Sequence, residues 1–279
     1  MNLPKDFVFT QSNLQDYLDC PYRFFLRYIR QTRWPALVAD DAVAFEARGQ
    51  IGAQFHRLIQ QYLLEVPEER LSEIAESDPS PEVNLWWQDF LLNVPPWLEG
   101  ERWVETTLST LLAGHRLAAK FDLVLAQAPG SLMIYDWKTS QKRPREEWLL
   151  GRAQTRLYRF LLAEAGSILY AGAMLDPAHI IMHYWYAPHP TSPIALPYDA
   201  ESYESDRQYF DQLTNEIHSR EPDAFTKTPD IKHCRFCVYR SHCDRGTHAG
   251  DLSDFEDDAF DLEDNLQDID FDEIAEITF

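Results

Sequence analysis

The chain is short of several things, and each shortage excludes a class of protein. No apolar run approaches the roughly 20 residues of a membrane-spanning helix. Residues 1–9 hold one lysine, no apolar stretch and no small-residue cleavage site, so neither a signal nor a transit peptide is expected and a soluble, cytoplasmic protein is. There is no G-x4-G-K-[ST] loop, so any helicase activity would belong to another chain, and no C-x3-C-x2-C radical loop, nucleotide fingerprint or internal repeat is found. Cysteine is limited to four residues; without a signal peptide, metal ligation is a better first reading of them than disulfides. Basic residues are also scarce, 25 Lys and Arg against 46 Asp and Glu, for a net charge of -21. Such an excess argues against phosphate binding, which needs cations. The excess is local, however: residues 251–279 hold 13 acids and no base, leaving -8 for residues 1–250.

What is present suits one large domain: 279 residues, 45% hydrophobic and 13% aromatic, are ample for a core. Ser12 suits the N-cap of a short helix carrying Leu14, Tyr17 and Leu18, and Pro21 the first turn of a second, with Cys20 at their joint. Gln31 to Asp41 reads as a loop. From Phe45 to Leu64 apolar residues recur at helical spacing, with His56 at the edge of the stripe. Shorter helices are expected over 71–75 and 83–92, inside a helical insert spanning about 66–100. The pattern then changes to strands over 103–112, 115–126 and 132–138, separated by Ala113-Gly114 and Pro129-Gly130, a three-strand meander. A helix from Arg152 to Ala165, a β-rich run Ile180–Tyr186 and a helix from Glu201 to His218 follow. Alternating elements of this kind imply a mixed α/β fold, a central sheet flanked by helices.

Within the second strand, odd positions Leu117, Phe121, Leu123 and Leu125 are apolar while Lys120 and Asp122 share the even face, so Asp122 should point away from the main apolar layer. In the third strand Asp136 and Lys138 leave one face, Tyr135 and Trp137 the other. If the strands pair, Asp122 and Asp136 converge. Two carboxylates with an imidazole from a neighbouring helix form a hard site suited to Mg²⁺ or Mn²⁺, and an adjacent lysine suits phosphodiester hydrolysis. An acid–lysine pair can also simply solvate a sheet face.

The order of these residues decides between the two. Gly49-Gln50-Ile51-Gly52-Ala53-Gln54-Phe55-His56 resembles a G-x-x-x-H helix, Ala119-Lys120-Phe121-Asp122 a first-acid motif, Asp136-Trp137-Lys138 a D-x-K strand, and Gln154-Thr155-Arg156-Leu157-Tyr158 a Q-x-x-x-Y helix. Together they resemble the RecB-like branch of the PD-(D/E)XK nucleases, which includes CRISPR-adaptation exonucleases and AddB-type nuclease domains. Phe121 stands in place of the proline of the superfamily name, and Ala119 in place of a usual glycine. The resemblance implies a restriction-endonuclease-like core and a metal-dependent deoxyribonuclease, with His56, Asp122 and Asp136 as Mg²⁺ or Mn²⁺ ligands, joined by Trp137 through its carbonyl. Lys138 would be the catalytic lysine beside Asp122 and Asp136. Gln154 and Tyr158 would contact DNA or orient Lys138. Arg152, Arg156 and Arg159 form a stripe on the same helix, read as a solvated basic face with phosphate contact as the alternative.

Cys234-x-x-Cys237-x5-Cys243, with Cys20 far upstream, resembles the four-cysteine [4Fe-4S] set of iron–sulfur RecB-like nucleases, a staple joining the two ends of the domain. Structural Zn²⁺ is the rival, with His233 and His242 as nitrogen alternatives. The expected domains are a nuclease body over 1–250 and an acidic, disordered tail over 251–279, a solubility tail or a partner-docking segment. Expected partners are DNA and a helicase or CRISPR-adaptation protein, in repair, recombination or CRISPR adaptation. A catalytically silent iron–sulfur scaffold of a helicase–nuclease complex is the other class of function the sequence allows.

Overall fold

The computed structural model describes residues 3–4, 6–32, 40–128, 130–169, 175–235 and 237–246. The acidic tail and Pro129 therefore lie outside the described residues. A short strand β1 (Val8–Phe9) leads into α1 (Gln11–Asp19). Its cap is Thr10 rather than Ser12: the Thr10 hydroxyl accepts from the Asn13 amide while the Asn13 side chain accepts from the Thr10 amide, a reciprocal capping box. Pro21 opens α2 (Pro21–Phe24), as expected, which runs into a π-helical turn, Phe25–Ile29.

The long helix α3 (Asp40–Leu63) begins two residues inside the stretch expected to be loop. Helices α4 (Glu68–Ser77) and α5 (Pro81–Asn93) follow. The meander consists of β2 (Glu101–Leu112), β3 (His115–Ala128) and β4 (Ser131–Lys138). Gly100 enters it at φ +139° with an added Cβ 2.2 Å from the Ala126 carbonyl oxygen, so only glycine fits. After α6 (Glu146–Leu150) and α7 (Ala153–Ala165) come β5 (Ile180–Tyr186), β6 (Ile194–Pro197) and α8 (Ala200–Ser219). The strands form one six-stranded mixed sheet in which β4 and β5 run parallel and β2–β3, β3–β4 and β5–β6 are antiparallel.

Both faces of the sheet are covered, as a mixed α/β architecture demands. On one side Leu117, Phe121, Ile134 and Tyr184 pack with Leu157 and Leu161 of α7. On the other Leu123, Leu125, Trp137 and Trp185 pack with Phe55 of α3 and Trp87 and Phe90 of α5. The odd residues of β3 thus do not share one layer. Leu117, Ala119 and Phe121 enter the first core while Leu123 and Leu125 enter the second. The switch falls at Asp122. The β2–β3 ladder pairs Val104 with Leu123 and Thr106 with Phe121 and skips Glu105 and Asp122 between them, and Glu105 has φ +51°. A non-glycine residue in that region marks a local change of twist.

Candidate active site

On its other edge β3 pairs with β1 at Arg116 and Leu117 and with β4 only from Leu123 onward. Among the described residues the ladder is open between these points, and Asp122 stands at the fork. Its Oδ2 accepts from the Trp137 backbone N–H at 2.9 Å, taking the place of a strand carbonyl. Asp136 and Lys138 leave β4 on one face, as period-two geometry requires, and Lys138 Nζ lies 2.9 Å from Asp136 Oδ2, both side chains only 3% exposed. A lysine buried this completely is held by its carboxylate partner. From α3, His56 Nδ1 comes within 3.7 Å of Asp122 Oδ2. Sheet and helix together gather His56, Asp122, Asp136 and Lys138.

Burial pushes the Asp122 carboxyl up to about 6, with Glu105 adding to the rise; His56, the Trp137 amide and Lys138 oppose it. A buried acid that ionises reluctantly is poised for a cation.

Gln154 and Tyr158 lie behind the acids. Gln154 Nε2 donates to Asp136 Oδ1 at 2.8 Å, and Tyr158 is buried with its ring 4.8 Å from that of Phe121. Gln154 thus supports an acid directly, and both side chains are as deeply buried as Asp136 and Lys138 or nearly so. The arginine stripe is not a solvated face. Arg156 Nε meets Asp206 at 2.5 Å with its guanidinium 3.6 Å from the Tyr209 ring, and Arg159 is buried and donates to the Pro197 carbonyl at 3.1 Å. Helix α8 covers that side of α7, which a helical wheel of α7 alone cannot foresee.

Three polar neighbours were not singled out from the sequence. Tyr184 OH lies 2.8 Å from Thr155 Oγ1 and donates to Gln154 Oε1 at 3.4 Å. Its position two residues after Met182 on a β5 face was a findable signal. Glu105, opposite Asp122, pairs with Lys120 at 2.6 Å; nothing in the β2 sequence announces its conformation.

The four cysteines carry no disulfide, and all four line a single cavity with Arg23 and Arg245. Two sit on short turns, Ile231–Cys234 and Arg240–Cys243, and Cys20 ends α1. Burial pushes the Cys237 thiol up to about 11 and raises that of Cys243. Arg245 Nη1 donates to Cys234 Sγ at 2.8 Å. Sulfurs converging from both ends of the chain among cationic side chains fit an anionic thiolate-ligated centre. Among the described residues no three His, Cys, Asp or Glu side chains stand at the spacing of a ready-made metal site. A group bound at either place must therefore draw its ligands inward.

A family model described as the PD-(D/E)XK nuclease superfamily matches residues 8–244. The chain belongs to that superfamily. No curated protein matches it. Among solved structures, a candidate exonuclease from Eubacterium rectale aligns at 9% identity with a TM-score of 0.52, covering 85% of this chain and 88% of its own. The crystal structure of SSO0001 aligns at 14% identity and a TM-score of 0.39, covering 85% of each. At 9% identity the first likeness concerns the fold, which for a PD-(D/E)XK nuclease is the mixed sheet with flanking helices described above. Among the described residues no helix is long and apolar enough to cross a membrane.

Proposed function

We propose that this PD-(D/E)XK nuclease is a Mg²⁺- or Mn²⁺-dependent deoxyribonuclease that works as an exonuclease on DNA ends, in repair and recombination or in CRISPR adaptation, beside a helicase or adaptation partner. The observation that carries the reading is the convergence of Asp122, the Asp136–Lys138 pair and His56 at the fork of β3 and β4.

Asp122, Asp136 and His56, with the Trp137 carbonyl, would hold the cation, whose charge polarises the phosphate and acidifies a bound water. The chain's own residues supply the rest. Gln154 fixes the Asp136 carboxylate from behind, and the Trp137 amide fixes that of Asp122. Lys138, buried against Asp136, places a positive charge where negative charge develops on the phosphate.

The four cysteines are proposed to hold a structural [4Fe-4S] cluster. All four cysteines line one cavity. Of the nitrogen alternatives, His233 lines the same cavity with its Nδ1 3.7 Å from Asp19, and His242 packs on Tyr239.

The test is digestion of end-labelled single- and double-stranded DNA with Mg²⁺ or Mn²⁺ by wild type, Asp136→Ala and Lys138→Ala. Loss of about a hundredfold or more in both variants is expected; equal activity in all three excludes this centre, and no cleavage by wild type leaves the scaffold. A brown protein absorbing near about 400 nm is expected of the cluster, and a colourless one with equimolar zinc overturns that part.

A further inference from the structure

The carboxylate centre and the cysteine cavity are separate sites, yet α1 ends at the cavity and also reaches the first residue of α7, next to Gln154. Asp16, Asp19 and Arg23 form a buried ion network in which Arg23 Nε meets Asp16 at 2.8 Å and Nη2 meets Asp19 at 2.8 Å. Arg23 also lines the cysteine cavity. Cys20 directly follows Asp19, and its own N–H donates to the Asp16 carbonyl at 3.0 Å, so the place of its sulfur is tied to the end of α1. One turn back, Gln15 Nε2 donates to Asp19 Oδ1 at 2.7 Å. The other atom of the same amide, Gln15 Oε1, accepts the backbone N–H of Ala153 at 3.2 Å.

Ala153 is the first residue of α7, and its neighbour Gln154 holds Asp136. A first-turn amide has no acceptor within its own helix, and Arg152 at the cap position supplies no side-chain bond. The partner comes instead from α1, 138 residues away in sequence. We propose that Gln15 is a positioning residue that couples the cysteine site to the carboxylate centre, holding Asp19 with one end of its amide and the start of α7 with the other. Filling the cavity fixes Cys20, and with it the end of α1. Gln15 passes that constraint to the turn from which Gln154 grips Asp136. The inference rests on the nuclease reading above.

A mere helix cap needs only the acceptor oxygen, and this separates the two roles. Gln15→Glu keeps an acceptor for Ala153 but presents a carboxylate to Asp19; Gln15→Leu removes both bonds. The experiment is hydrogen–deuterium exchange on the full chain, as purified and after stripping the cysteine-bound metal with a chelator, with metal content measured in each sample. In wild type, stripping is expected to raise exchange at the start of α7 by about tenfold while β5 stays protected. In Gln15→Leu the start of α7 is expected to exchange fast already and in Gln15→Glu to stay capped, and in both variants stripping should add less than about twofold.

Three results overturn the proposal: Gln15→Glu responding to stripping as fully as wild type, wild-type α7 indifferent to stripping, or β5 losing protection together with α7. The measurement uses no DNA. An inactive protein with coupled exchange would therefore sink the nuclease reading alone, and an active one with uncoupled exchange would sink the relay alone.

Discussion

At the carboxylate centre the acids are held by groups on neighbouring strands and helices: Asp122 by the Trp137 amide, Asp136 by Lys138 and Gln154. At the cysteine cavity two of the sulfurs ride on single 3₁₀ turns near the end of the described chain, with Arg245 donating to one of them. The first set of side chains is fixed on a sheet packed on both faces, and the second rests on single turns. A site on regular elements holds its geometry without its ligand, whereas one on short turns takes its geometry from the ligand.

The largest effects should separate the two sites cleanly. Asp136→Ala is expected to lower DNA cleavage by about a hundredfold or more while leaving the metal content of the cysteine site unchanged. Cys237→Ser should lower bound metal and the melting temperature together. If Asp136→Ala emptied the cysteine site, or Cys237→Ser kept full stability, the contrast would fail.

The bracing behind the carboxylate centre comes next. Asp206 ties α8 to α7 by accepting from Arg156 and from the Tyr198 hydroxyl. Asp206→Ala leaves a half-buried guanidinium without its carboxylate and should cost about 3 kcal/mol in denaturant unfolding. An unchanged midpoint would show that α7 stands without α8.

A carboxylate buried this deeply carries a cost when it ionises. The Asp122 carboxyl is pushed from 3.8 up to about 6 in the folded protein. The folded state thus holds this proton more tightly than the unfolded one, so the stabilisation is complete at low pH and is lost as pH rises through about 6. In metal-free protein at about pH 8, Asp122→Asn should melt several degrees higher than wild type, with the gap closing towards about pH 4. A lower melting temperature at the alkaline end contradicts the assignment.

The smallest effect is a control outside both sites. Asp199 caps α8 by accepting from the Ser202 amide at 2.7 Å, and that bond holds its carboxyl below the usual range. Its contribution is present above the ordinary carboxylate range and is lost as pH falls through its lowered value. Asp199→Ala should melt slightly below wild type at neutral pH and level with it in strong acid. A gap that persists in acid would assign the effect to something other than the charge.

Much of the catalytic strand geometry was legible in the sequence, because period-two alternation alone puts Asp136 and Lys138 on one face and the tight Ala113-Gly114 turn, both residues at positive φ, fixes the hairpin. The long helices appeared for the same reason, their apolar spacing. What stayed hidden depends on partners far away in the chain. The face switch at Asp122 needs Glu105 in an unusual conformation on the facing strand. The burial of Arg159 needs α8, and the role of Gln154 needs Asp136 in front of it. The two-residue β1 and the four-residue β6 are too short to show a period.

The seat of α1 and α2 sets an order in which the molecule can be assembled. Besides the cysteines, the beginning of the chain is tied to its far end by the Tyr22 amide donating to the Thr226 carbonyl at 3.1 Å, by Tyr17 donating to Glu216, and by Phe24 stacked on Phe225. Helix α1 is made about two hundred residues before the segment that seats it, and such a long-range closure is slow for entropic reasons. During translation the growing chain therefore exposes the aromatic face of α1 and α2 until residues 216–226 have been made.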